Sequence, residues 1–253
     1  MSKTKRVRLD VRVAELGLAA SRDRAQRLIL AGQVLVDDVV VDKAGTKIRS
    51  DASVRVRGQD HPYVGRGGLK MEGALADLAV NPGGLRCLDV GASTGGFTDC
   101  LLQRGAAHVV AVDVGTNQLA YKLRVDPRVS VHEQTDIRAM TRELLAGSID
   151  LAVVDASFIS LRLLLEPLAS LLDGGARVLA LVKPQFEVGR DRVGKGGVVR
   201  DDTDRLAAVD AVVAVALELG FAESGRADSR VAGAKKGNRE VFVLFERLAD
   251  RTA

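Results

Sequence analysis

Asp89-Val90-Gly91-Ala92-Ser93-Thr94-Gly95-Gly96-Phe97 joins an apolar run to a glycine-rich turn, where bare backbone can approach a small nucleotide-like ligand. The glycines at 91, 95 and 96 depart from the G-x-G-x-x-G spacing of dinucleotide sites. Asp113 closes a second apolar run, Val109 to Val112, 24 residues after Asp89. A carboxylate there can accept hydrogen bonds from both hydroxyls of a ribose. The pattern fits S-adenosylmethionine as well as it fits NAD. Two more apolar runs end in charge: Leu151 to Val154 in Asp155, and Val178 to Val182 in Lys183. Neighbouring strands lie about 4.8 Å apart, so these two side chains can touch across a cleft. A structural ion pair is one reading. Placement on the same edge as the glycine turn favours a functional one.

These residues need a parallel sheet to position them. Apolar strands are expected near 86 to 90, 108 to 113, 128 to 132, 150 to 155, 177 to 183 and 240 to 245. They alternate with helical patterns near 67 to 79, 96 to 104, 160 to 172 and 203 to 219. The alternation predicts an α/β, doubly wound sheet with its ligand at the carboxyl ends of the strands.

At 253 residues, 47% hydrophobic and 28% charged, the chain has material for one larger domain and a small second one. No run of about 18 apolar residues occurs, and the start Met-Ser-Lys-Thr-Lys-Arg has no apolar signal segment, which predicts a cytoplasmic protein. Two cysteines, Cys87 and Cys100, and three scattered histidines argue against a disulfide framework or a metal site. The charge is uneven. Residues 1 to 60 hold 13 Lys or Arg against 8 Asp or Glu, whereas the remainder holds 24 against 25. A basic module of this size beside a nearly neutral domain suggests that the small piece holds a polyanion; a solvated helix face is the plainer account.

Within that module, Val11 to Leu16 is helical in its apolar spacing, and Ser21 is an N-cap for a second helix over Arg22 to Ile29, stopped by Gly32. A hairpin follows, Val34 to Val36 and Val39 to Val41 around Asp37-Asp38. This order resembles the S4-type RNA-binding module, over roughly residues 6 to 57. A polar stretch from Gly58 to Val64 follows, in which Pro62 biases His61 away from helix. The expected division is an RNA-binding domain over 1–58, a linker over 59–64 and a catalytic domain over 65–253.

Nearly the whole chain resembles the TlyA family of ribosomal RNA 2′-O-methyltransferases, whose catalytic half is similar to the FtsJ-type RNA ribose methyltransferases. The resemblance rests on Val64 to Lys70, Asp89 to Thr98, Asp155 to Ser160, Leu181 to Glu187, Gly196 to Asp201 and Gly237 to Glu240. It implies a Rossmann-like S-adenosylmethionine-dependent methyltransferase domain behind a small α+β RNA-binding domain. It also implies a metal-free reaction on a cytidine ribose in one or both ribosomal subunits. The family's Lys-Asp-Lys-Glu tetrad falls on Lys70, Asp155, Lys183 and Glu240.

That tetrad suits the reaction. A ribose hydroxyl is a weak, protonated nucleophile and a sulfonium is a good methyl donor, so alignment and one proton are what the protein must manage. Lys183 is expected to contact the hydroxyl, as a base or as an orienting donor, with Asp155 and Glu240 positioning Lys183 and Lys70. The turn from Gly91 through Ala92, Ser93, Thr94 and Gly95 to Gly96 is expected to face the methionine part and Asp113 the ribose, with Phe97 and Asp155 also counted among the cofactor-binding residues. Asp136 either accepts the adenine amino group or caps a helix. Asp89 either contacts the methionine amine or braces the turn.

Aromatics are only 3% and Trp is absent, so phosphate contacts should dominate RNA binding. The candidates are Lys3, Lys5, Arg6, Arg8, Arg22, Arg24 and Arg27, with Arg66, Lys235 and Lys236 flanking the catalytic mouth. Two departures from the family pattern stand near the linker: Tyr63 where some relatives carry tryptophan, and Gly65 where serine is common. A non-catalytic assembly factor and a haemolysin are the competing functions; the intact tetrad argues against the first, and the lack of a long apolar or strongly amphipathic segment against the second.

Overall fold

Strands that are apolar on both sides must lie in a sheet covered on both faces, and the larger part of this chain is built that way. A computed structural model describes residues 6–19, 21–57, 61–231 and 238–249. Its contacts divide the chain into two units, Met1–Pro62 and Tyr63–Ala253.

The first unit runs β1 (Arg6–Arg8), α1 (Leu9–Glu15), α2 (Arg22–Leu30), β2 (Val34–Val36), β3 (Val39–Val40), β4 (Lys47–Arg49) and β5 (Val54–Val56). β1 pairs with β4, and β2 lies between β3 and β5, all antiparallel. The Ser21 hydroxyl accepts the Arg24 amide and caps α2. Asp37 and Asp38 both sit at positive φ, 48° and 66°, as a two-residue hairpin turn demands. Leu9, Val13, Leu28, Ile29, Val34 and Ile48 form the core. The sequence pattern did not reveal β1, a three-residue strand that leads directly into α1.

The second unit places α3 (Gly67–Asp77) before β6 (Arg86–Val90), then α4 (Gly96–Gln103), β7 (His108–Val112), α5 (Tyr121–Arg124) and β8 (Val129–His132). It continues through α6 (Arg142–Leu145), β9 (Leu151–Val154), α7 (Arg162–Leu171), β10 (Arg177–Val182), α8 (Pro184–Glu187), α9 (Asp202–Glu218), β11 (Phe221–Asp228) and β12 (Val241–Arg247). The sheet order is β11-β12-β10-β9-β6-β7-β8, with β12 antiparallel to both neighbours and β8, β7, β6, β9 and β10 parallel. The chain starts mid-sheet at β6, steps one way to β8, then returns to the other side with β9. The switch point therefore lies between β6 and β9, where open α/β sheets bind ligands.

Alternation decides the two faces. Leu88, Val90, Val110, Val112, Ala152 and Val154 pack toward Leu165, Leu168 and Val212 of α7 and α9. Cys87, Val109, Ala111, Leu151 and Val153 pack toward Met71, Leu75, Phe97 and Leu101 of α3 and α4. The seventh strand, β11, is absent from the sequence expectation. It is an edge strand carrying Glu223, Gly225, Arg226 and Asp228, with a bulge between Glu223 and Gly225, so its apolar signal is broken.

Candidate active site

A cavity of about 440 Å³ opens at the carboxyl ends of β6, β7 and β9. That is room for a nucleoside-sized ligand. Asp113, one residue past β7, lines it. Its Oδ2 accepts the Ser93 amide at 2.8 Å and its Oδ1 the Gly115 amide at 2.7 Å, so two backbone N–H groups aim the carboxylate. Each oxygen keeps a second lone pair for a hydroxyl donor. Val112, Ile137, Ile159 and Leu164 give the same cavity an apolar wall. The donor set and the wall fit the ribose and the ring of an adenosine-containing cofactor.

Gly91 is required where β6 meets β9. Its φ is +82°, and a Cβ there would stand 2.9 Å from the Asp155 carbonyl oxygen. Ser93, also on the turn, lines the cavity with it. The rest of the turn also serves packing. Ala92 and Phe97 are buried in the core beside α3 and α4, and a Cβ on Gly95 would strike Leu119 and Leu123. At Gly96 a Cβ would come within 2.9 Å of the Gly68 nitrogen and 3.1 Å of Gly67 Cα, so this glycine lets α3 and α4 touch backbone to backbone. Thr94 is exposed and does not line the cavity; its Oγ1 would lie 2.7 Å from a Cβ at Gly65, so serine at 65 would require Thr94 to turn.

Asp89 also turns inward. It is fully buried, its Oδ2 accepting the Thr98 amide at 2.9 Å and the Thr98 hydroxyl at 2.6 Å, which ties β6 to the first turn of α4. The bracing alternative is the one seen, because the side chain points toward α4 and does not line the cavity. Burial pushes its carboxyl up to about 7, against the partial relief of the Thr98 hydroxyl. Asp136 lines the cavity and caps a 3-10 turn, accepting the Arg138 amide at 2.9 Å and pairing with its guanidinium at 2.6 Å. The Arg138 contact holds its carboxyl below the ordinary range.

The four tetrad residues form two ion pairs. Lys183 Nζ lies 2.6 Å from Asp155 Oδ1, and Lys70 Nζ donates to Glu240 Oε2 at 2.5 Å. Lys183 and Glu240 are buried. Pro184 disfavours helical backbone at the residue before it, so Lys183 stays extended, at φ −111° and ψ 100°, just past the end of β10. Lys70 rides on α3, and Glu240 immediately precedes β12.

Three polar residues that sequence reasoning did not select as site residues support these pairs. Lys183 Nζ donates to Ser157 Oγ at 2.6 Å and to the Asp155 carbonyl at 3.4 Å. Glu187 accepts the Ser160 hydroxyl at 2.6 Å and the Leu161 amide at 2.7 Å, stapling the segment after β9 to α8. Asn238 accepts the Val199 amide at 3.0 Å and donates to the Gly197 carbonyl at 2.8 Å, joining the Gly196 motif to the segment carrying Glu240. In the sequence Glu187 and Asn238 stood out only as an acid and an amide inside proline- or glycine-marked motifs, and Ser157 only as a hydroxyl two residues past Asp155. Among the described residues no group of three or more His, Cys, Asp or Glu is arranged to hold a metal.

The RNA candidates divide. In the first unit Asp10 is fully buried and accepts Arg8 Nε at 3.0 Å, Arg22 Nε at 2.9 Å and Gln26 Nε2 at 2.9 Å. Those guanidiniums hold its carboxyl far below the ordinary range. Arg8 and Arg22 are therefore bound to their own fold and are not free cations. Arg6 and Arg27 are exposed and Arg24 is half-buried; Arg66, on the second unit, is exposed. Lys3, Lys5, Lys235 and Lys236 lie outside the described residues. The end of the expected linker is anchored in the second unit: Tyr63 packs over Gly68, and the Val64 amide donates to Asp99 Oδ2 at 2.7 Å.

The sheet order and the cavity at its switch point define a doubly wound α/β domain with an open cavity at its strand ends, where such sheets bind ligands. A family model described as FtsJ-like methyltransferase matches residues 63–247, and an S4-domain model matches residues 7–54. The chain belongs to the FtsJ-like methyltransferase family and carries an S4 domain at its amino end. It is 46% identical to the 16S/23S rRNA (cytidine-2′-O)-methyltransferase TlyA of Mycobacterium tuberculosis, over 98% of this chain and 92% of that protein. It is 40% identical to Hemolysin A of Brachyspira hyodysenteriae, over 94% of this chain and 99% of that one. A solved structure from Streptococcus thermophilus, also carrying a hemolysin name, superposes with a TM-score of 0.74 at 41% identity, covering 97% of this chain and 90% of that one. Among the described residues no helix is long and apolar enough to cross a membrane.

Proposed function

We propose that this protein transfers a methyl group from S-adenosylmethionine to the 2′-hydroxyl of a cytidine ribose in ribosomal RNA, acting in the cytoplasm on one or both subunits. The observation that carries the reading is the buried Lys183, paired with Asp155, which lines the same cavity as Asp113. Asp113 would bind the cofactor ribose, and the turn at Gly91 and Ser93 would lie along its methionine end. When bound, the cofactor would supply an electrophilic sulfonium methyl. Lys183 then holds the ribose hydroxyl and takes its proton or directs its lone pair, while Asp155 keeps the amine at the cavity edge. Lys70 and Glu240 form the second pair and complete the site. Residues 1–58 would bind RNA through phosphate contacts, residues 59–64 would link the two modules, and residues 65–253 would carry catalysis.

The test is transfer of labelled methyl from S-adenosylmethionine to purified small and large ribosomal subunits, with the modified nucleotide mapped by mass. Label on a cytidine 2′-oxygen that is lost in Lys183→Ala, with cofactor binding kept, is the expected result. No transfer to either subunit or to free ribosomal RNA overturns the reading in favour of a non-catalytic assembly role or another RNA.

A further inference from the structure

Lys183 is a long, flexible side chain whose function under the reading above depends on where one nitrogen points. Its contact with the Asp155 carboxylate is an ion pair at 2.6 Å, and Coulomb attraction fixes a distance far better than a direction. Direction comes from hydrogen bonds, and Lys183 makes two. The Asp155 carbonyl at 3.4 Å is a weak acceptor, near the outer limit for such a bond. Ser157 Oγ, at 2.6 Å, is the strong one.

The backbone just beyond Ser157 is tied to α8. Phe158, the next residue, is largely exposed and sits at φ 68°, a left-handed conformation uncommon for a bulky residue. Its ring lies 5.5 Å from the Phe186 ring on α8. Two residues further on, Glu187 grips the Ser160 hydroxyl and the Leu161 amide. The segment is thus tied to α8 just beyond Ser157, and α8 starts one residue after Lys183. Ser157 is itself exposed and lines the cavity.

We infer that Ser157 is a positioning residue for methyl transfer: its hydroxyl orients the Lys183 amine so that the remaining tetrahedral direction meets the incoming ribose hydroxyl. The inference rests on the proposed ribose methylation. With Ser157 and the Asp155 carboxylate held close to Nζ, the third direction, spent only on the 3.4 Å carbonyl contact, is the one the ribose hydroxyl takes, whether it carries an N–H that orients the ribose oxygen or the lone pair that accepts its proton. Without Ser157, the amine keeps its counterion and loses its aim.

Ser157→Ala and Ser157→Thr in the full chain test this, assayed on the subunit that the wild type modifies. The expected result for Ser157→Ala is a kcat lower by about 10- to 100-fold, with KM for RNA and Kd for S-adenosylmethionine within about 2-fold of wild type. Ser157→Thr, which keeps the hydroxyl, restores most of the rate. A second readout needs no RNA: in lysine-labelled protein the Lys183 13Cε and 15Nζ resonances move in Ser157→Ala and return in Ser157→Thr. Wild-type kcat in Ser157→Ala, an equal loss of cofactor affinity, or unmoved Lys183 resonances would each overturn the inference. A wild type that methylates no ribosomal RNA overturns the functional reading instead, and the resonances still decide whether Ser157 directs Lys183.

Discussion

Asp89 is a carboxylate sealed from water with hydrogen bonds to one oxygen only. Its folded value, about 7, stands above the ordinary 3.8, so the folded chain holds a proton that the unfolded chain releases between those limits. Stability from this group falls as pH rises through that window. Asp89→Asn keeps an acceptor for Thr98 and carries no charge. Thermal melts should show its deficit shrinking, or turning to a gain, between about pH 4 and pH 7, while cofactor affinity stays near wild type. Asp113 is the contrasting carboxylate, held open to the cavity by two amides. Asp113→Ala should weaken S-adenosylmethionine binding by about 10- to 100-fold in calorimetry, the loss of one to two charge-assisted hydrogen bonds. Sequence alone singled out both acids, since both end apolar runs. It did not tell them apart, because which face a strand-end side chain takes depends on what packs there: Thr98 of α4 for Asp89, and the Ser93 and Gly115 amides for Asp113.

The glycine turn is as much a packing device as a ligand cradle. Gly96 and Gly67 allow α3 to lie against α4, and α3 carries Lys70. Gly96→Ala should cost about 1–3 kcal/mol in denaturant unfolding by overpacking this contact. It should also lower methyl transfer by moving Lys70, whereas Gly84→Ala, facing open space at positive φ, should cost only backbone strain. Elements with continuous apolar runs, β6, β7, β9 and β10, were legible because burial on both faces writes itself into every residue. β11 was not, since an edge strand is free to carry charge on its outer side. The four-residue helices α5, α6 and α8 were not either, being shorter than the window in which a helical period can be recognised. The supports of the site were hidden for a related reason. Glu187 acts on Leu161 from 26 residues away and Asn238 on Val199 from 39, distances at which only the fold supplies the contact.

At the scale of the molecule, charge and chemistry are segregated. The positive excess lies in the first 60 residues and the cavity in the second unit. RNA affinity should therefore fall steeply with salt, as phosphate-dominated binding does. Arg27→Glu should weaken RNA binding and flatten the salt dependence by about one unit of log–log slope or more, leaving cofactor affinity unchanged; filter binding across a salt series with parallel calorimetry reads both. Asp10→Ala releases Arg8 and Arg22 from their buried partner and should loosen the first unit, seen as faster hydrogen exchange across α1 and α2. The module's basic character was legible as a count, but which arginines are spent on the fold was not, because Asp10 meets Arg22 only after α1 and α2 pack together.

The pair that joins Lys70 to Glu240 spans 170 residues, and Glu240 leads into β12, which enters the sheet between β10 and β11. A growing chain has every other part of the tetrad long before it has this one. If catalysis needs both pairs, as proposed above, synthesis itself keeps the protein inert until β12 has left the exit tunnel and slid into place between β10 and β11.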